Sequence, residues 1–234
     1  MEDPIQVLNR EYREYFLSNG VVVGEHFRLL QEFLMERGCT FRGEAMPTLL
    51  KPNFISPTQS TLLKNHVERM SRALNKFIGL YLADNRVKEI MGFSDRENQL
   101  FRIDPGYSNP LLISRLDACL DHNDLKFLEF NCDSPAGIAY ADVLEEGFRE
   151  IFRGYPFMQR YRISYASRQE ILLRSLLECY REFRGSHRRM PERPVVAIVD
   201  WADVSTSSEF DLHRKHFREH GLETIIATPQ DFTI

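Results

Sequence analysis

Apolar residues recur every three or four positions through much of the first hundred residues. Ile5, Leu8, Tyr12, Tyr15 and Phe16 predict one helix, which Asn19-Gly20 ends. Phe27, Leu30, Phe33 and Leu34 predict a second, which stops at Gly38. Gly43, Pro47 and Pro52 make residues 40–55 irregular, with room for a short strand. Ser56-Pro57 then opens a long helix. Its apolar stripe is Leu62, Leu63, His66, Met70, Leu74, Phe77, Ile78 and Tyr81. Ser94-Asp95-Arg96-Glu97 has the form of a capping box, heading a short helix that must end before Asp104-Pro105-Gly106.

The period then falls to two. LLISRLDACLD (111–121) and DLKFLEFN (124–131) read as the strands of a hairpin, with a three-residue turn over 122–124. Helices are predicted over 139–152 and 167–183. GSHRRMPERP (185–194) is basic and rich in turn formers, and reads as a solvated linker. Beyond it VVAIVDW (195–201) is a nearly continuous apolar run, the pattern of a strand buried on both faces. A helix over 207–220 and a second strand, ETIIATP (223–229), complete a βαβ unit with parallel pairing. The fold class is therefore mixed α+β, within the broad α/β group: a helical N-terminal region, a small antiparallel sheet and a C-terminal Rossmann-like βαβ unit. The expected domains are 1–184 and 195–234, joined by the 185–194 linker.

The hairpin carries the candidate chemistry. Alternation puts Arg115 and Asp117 on one face of their strand, and Glu129 and Asn131 on one face of theirs. The three-residue turn pairs Asp117 with Glu129 and Arg115 with Asn131, gathering all four in one patch. Opposed carboxylates repel unless a positive group lies between them. Arg115 is one such group and a divalent cation is another. Asp, Glu and Asn offer hard oxygen donors, which suit Mg²⁺ or Mn²⁺ rather than zinc. Arginine adds a planar fork for phosphate. The alternative is a solvated sheet face with a surface salt bridge. The turn that follows, NCDSPAG (131–137), is polar and enters a helix, a position where ligands bind. Alternation turns Cys132 to the other face, as a packed thiol.

Composition narrows the class. The chain has 234 residues, of which 43% are hydrophobic and 27% charged, as in soluble globular proteins. A net charge of −4 supplies no basic field, so nucleic acid is not the expected partner. No apolar run reaches the length of a membrane span, and the start, MEDPIQ, lacks the pattern of a secretory signal. Cys39, Cys119, Cys132 and Cys179 are scattered, which favours reduced thiols and a cytoplasmic location.

Two further signals are weaker. His213, His216 and His220 share roughly one helix face at zinc-ligand spacing, but LHRKHFREHG is so charged that an exposed helix is the preferred reading. The loop after 195–201 sits like a nucleotide-binding turn, yet it has no G-x-G-x-x-G.

The string R-x-D followed by E-x-N-x-D-S-P (Arg115, Asp117, Glu129, Asn131, Asp133, Ser134, Pro135) resembles the metal-binding signature of the glutathionylspermidine synthetase family. That family is a circularly permuted branch of the ATP-grasp ligases, and the spacing from Asp117 to Glu129 is similar too. IDPGY (103–107) and the βαβ unit resemble related ATP-grasp proteins, where this unit is the pre-ATP-grasp subdomain. The likeness covers roughly residues 100–234. It implies an ATP-dependent carboxylate–amine ligase working through an acylphosphate, with Mg²⁺ (or Mn²⁺) and ATP. Arg115 would steady the phosphoryl group, catalytically and as an ATP contact. Asp117, Glu129 and Asn131 would hold the metal. Asp133, Ser134 and Gly137 would face the substrate carboxylate. The partners would be a small carboxylic acid and an amine.

The lysines that grip the nucleotide come late in the permuted arrangement, and no G-x-x-x-x-G-K-[ST] replaces them. The expectation is thus an incomplete ATP-grasp fold carrying the magnesium half of the site, with an open sheet edge that favours self-association. The competing expectation is a non-catalytic module, descended from such an enzyme, that binds a small ligand or partner.

Overall fold

The computed structural model describes residues 4–121, 124–187 and 189–233. The chain divides into two compact units that interleave in sequence. Unit 1 holds residues 1–56, 136–173 and 191–234, and unit 2 holds 57–135 and 174–190. The chain leaves unit 2 at Met190 and re-enters unit 1 at Pro191, inside the expected 185–194 linker.

Unit 1 opens with helices α1 (Pro4–Ser18) and α2 (Gly20–Glu36). The break between them falls at Asn19, whose side-chain amide donates to the Tyr15 carbonyl at 2.7 Å. Gly38 takes φ +70°, and the Cys39 N–H returns to the Leu34 carbonyl at 2.8 Å, so glycine ends α2 as expected. The irregular stretch contains a minimal hairpin, β1 (Thr40–Phe41) with β2 (Glu44–Ala45). After unit 2 come α6 (Ile138–Phe152) and α7 (Pro156–Arg160). The first turns of α8 (Arg168–Ser186) also belong to unit 1. The βαβ unit is β5 (Val196–Val199), α9 (Ser207–Glu219) and β6 (Thr224–Ala227), with β5 and β6 parallel.

The core of unit 1 has two clusters. In one, Leu30, Leu34 and Cys39 pack on Tyr140 and Val143, with Leu212 of α9 against them. Gly147 makes this close approach possible: a Cβ there would lie 2.9 Å from Leu30 Cδ1. The other gathers Leu8, Tyr12 and Phe152, and the Tyr12 hydroxyl donates to the Leu50 carbonyl. The β5–β6 sheet departs from the sequence expectation. Val199 is 46% exposed and Ile225 39% exposed, so these strands are not buried on both faces. In this two-stranded sheet, α9 packs against β6.

Unit 2 contains α3 (Pro57–Ala83), α4 (Asn85–Met91), α5 (Asp95–Leu100), the hairpin β3 (Arg115–Asp121)–β4 (Asp124–Asn131), and the rest of α8. Both halves of the Ser94/Glu97 capping box form. The predicted stripe of α3 is mostly half-buried, with Tyr81 buried. Tyr81 donates to Asn98 Oδ1 at 2.6 Å and lies edge-on to Phe93 and Phe101. No helix among the described residues is long and apolar enough to cross a membrane.

Candidate functional site

Strands β3 and β4 pair antiparallel, with Arg115 opposite Asn131 and Asp117 opposite Glu129. This is the expected register, reached by a different route. Asp124 is not a turn residue; it pairs with Asp121, and His122 and Asn123 lie outside the described residues. The register near the turn would by itself set Asp117 against Leu128. A β-bulge between the Asp117 and Ala118 pairings absorbs Leu128 as an extra residue and returns Glu129 to the face of Asp117. Leu128 is 70% exposed, as an unpaired bulge residue at a strand edge can be.

The four side chains meet. Arg115 Nε donates to Asp117 Oδ1 at 2.9 Å, and Arg115 Nη2 lies 3.9 Å from Glu129 Oε1. Asn131 Nδ2 donates to the same Glu129 oxygen at 2.9 Å. The guanidinium thus neutralises the carboxylate pair. The Arg115, Asp117 and Glu129 side chains are 47%, 39% and 59% exposed, so solvent screens them and the ion pairs add little stability. Such a patch is open to a ligand and cheap to mutate.

The residues that follow are separately placed. Asp133 and Ser134 are exposed in unit 2, and Ser134 adopts φ +61°, a left-handed conformation unusual for a residue with a Cβ. Cys132 is exposed and therefore not the packed thiol expected from alternation, because the far side of the strand end carries no cover over it. Gly137 lies in unit 1, at φ +117° before α6. Its N–H donates to both Glu209 carboxylate oxygens, at 2.9 and 3.0 Å. The Ala139 N–H adds 2.8 Å. Glu209 is 3% exposed and so caps the start of α6 from within.

Sequence reasoning did not single out Glu209 or Asp142. The Asp142 carboxylate accepts from the Ser167 hydroxyl at 2.8 Å and from the N–H groups of Arg168 and Gln169 at 2.9 and 3.0 Å. Burial opposes its ionisation, but the bonds from Gln169, Arg168 and Ser167 prevail and hold it below the usual carboxylate range. Neither residue belongs to a motif; each is recognisable only through backbone donors distant in sequence. Of the three histidines, His216 on α9 and His220 at its C-cap come together, joined by Glu170 rather than His213. A further groove in unit 1 is lined by Tyr12, Arg13, Phe16, Val23, Leu50 and Lys51, and contains none of the candidate residues. Compared with known protein families, curated proteins and solved structures, the chain matches none.

Proposed function

We propose that the β3–β4 patch binds Mg²⁺ and a phosphoryl group, and that the chain contributes this half of the site of an ATP-dependent carboxylate–amine ligase. The observation that carries the reading is the bulged register, which collects Asp117, Glu129 and Asn131 around one guanidinium. The donor set suits a small hard cation: two carboxylates and an amide whose nitrogen is committed to Glu129, leaving Oδ1 as its ligand atom. Magnesium here would neutralise charge on the phosphates. Arg115, released from the carboxylates, would turn its fork to the transferring phosphoryl group. In the reaction, a substrate carboxylate oxygen takes the γ-phosphoryl group and ADP leaves. An amine then attacks the acyl carbon, and phosphate and a proton depart. The incomplete ATP-grasp fold, with its pre-ATP-grasp βαβ unit, belongs to the same proposal.

The second reading, a non-catalytic binding module, draws on Glu209. Its carboxylate takes the Gly137 N–H that would otherwise face an acceptor substrate.

Calorimetric titration of Mg²⁺ and Mg·ATP into the wild type, Glu129→Gln and Arg115→Ala tests both. Glu129→Gln should abolish Mg²⁺ binding. Arg115→Ala should retain it and weaken Mg·ATP by about tenfold or more, the value of a lost charge-assisted contact. Binding of Mg²⁺ without Mg·ATP would favour the module. Equal titrations in all three proteins would overturn the site.

A further inference from the structure

Helix α9 brings His216 to one side of its last turns, and His220 follows as the C-cap residue. Their rings stand with centroids 4.4 Å apart. Glu170, in the first turn of α8, reaches the same point. Its Oε2 lies 3.3 Å from His220 Nε2 and 3.8 Å from His216 Nε2. Each residue offers one ligand atom, and the three atoms all lie within 4.8 Å of one another. Tetrahedral zinc with ligands at its usual distances sets neighbouring ligand atoms about 3.3 Å apart, so the cluster has nearly the required spacing.

The hydrogen bonds around the cluster favour a metal. His220 Nδ1 sits 2.8 Å from the His216 carbonyl, which can only accept. Nδ1 therefore carries a proton, which leaves Nε2, directed at Glu170, as the nitrogen available to a metal. A backbone carbonyl fixing the far nitrogen in this way is how metal-ligating histidines are oriented. His216 Nε2 is buried and has no hydrogen-bond partner. A proton placed between His220 and Glu170 would join those two and leave His216 Nε2 unsatisfied. One cation satisfies all three.

The α8 side of the cluster is anchored. Glu170 N–H bonds to Ser167 Oγ at 3.2 Å, and Asp142 clamps the residues beside it. Glu170 and His220 are 54% and 44% exposed, which leaves a coordination position open to water.

We propose that Glu170, His216 and His220 form a binding site for a divalent transition-metal ion of the zinc type. Two imidazole nitrogens and one carboxylate oxygen select zinc and its neighbours over magnesium. The site ties the start of α8 to the end of α9 and is independent of the hairpin patch.

The test uses chelator-treated protein titrated with Zn²⁺ by calorimetry, with Co²⁺ absorption as a geometric reporter. One Zn²⁺ per chain is expected, together with the visible bands of low-coordinate Co²⁺ and a higher melting temperature. His220→Ala and Glu170→Gln change exposed side chains and should fold normally by circular dichroism. Each should lose at least the 10–100-fold in affinity that removing a mere second-shell partner causes. Glu129→Gln should bind Zn²⁺ like the wild type. No Zn²⁺ binding, affinity unchanged in both ligand variants, or equal competition by Mg²⁺ would overturn the proposal.

Discussion

The Glu209 carboxylate is buried in unit 1 with no salt-bridging lysine or arginine among the described residues, an arrangement that costs several kcal/mol unless donors replace its water. The N–H groups at the start of α6 replace it, and the positive end of that helix favours the charge. The same bonds join the first turn of α9 to α6. Glu209→Ala strands those donors and should lower stability by about 2–4 kcal/mol in urea unfolding. Glu209→Gln keeps one acceptor oxygen and should lose less. A loss below about 0.5 kcal/mol for the alanine variant would show that water replaces the carboxylate. No residue-level signal announced this role, because Ser-Ser-Glu-Phe reads as an ordinary first helical turn. The hairpin residues were more legible. Period-two alternation marks Arg115, Asp117, Glu129 and Asn131 as sharing faces wherever the strand goes.

At the scale of elements, periodicity located the long helices to within a few residues, because an amphipathic stripe is a property of consecutive residues. The short α4 and α7 carry too few turns for a stripe, and went unseen. The hairpin is more instructive. Its register near Asp117 agrees with a three-residue turn, but a bulge at Leu128 produces it. Counting pairs along the sequence cannot separate these routes, since each inserts one residue on the same side of the ladder. The structure distinguishes them, and so does deletion of Leu128. Removing the bulge residue leaves Glu129 directly after Phe127 and still opposite Asp117 in a regular ladder, whereas a register set by a three-residue turn would be flipped by the same deletion. The deletion variant should keep its far-UV circular dichroism and its Mg²⁺ binding in calorimetry. Lost Mg²⁺ binding would mean that the turn, and not the bulge, sets the register of the patch. The β5–β6 strands failed in the other direction. A continuous apolar run commonly means burial on both faces, yet burial depends on what packs there, and Val199, Ile225 and Ile226 stay exposed although α9 packs against β6.

At the scale of the molecule, two units interleave along the chain, and the core of unit 1 draws on three segments far apart in sequence. Cysteine reactivity reports on this. Cys39 is fully buried among Leu30, Leu34 and Tyr140, and burial, with a contribution from the Glu209 charge, pushes its thiol up to about 12. Cys179 is also raised by burial. Cys119 and Cys132 are exposed on the hairpin of unit 2. Alkylation at pH 8 followed by peptide mapping should therefore label Cys119 and Cys132 first, Cys179 more slowly, and Cys39 only on unfolding. Rapid labelling of Cys39 in native protein would show that the core of unit 1 opens. The sequence alone determined the mixed α+β class, the long helices, the parallel βαβ unit and the alternation that aligns the four hairpin residues. All of these follow from interactions among neighbours along the chain, where spacing and propensity suffice. Tertiary structure decided the interleaving of the two units, the Glu209 and Asp142 caps, and the exchange of His213 for Glu170 beside His216 and His220. Each of these joins groups dozens of residues apart. Their meeting depends on how helices pack and where buried donors are left, and local pattern carries no record of either.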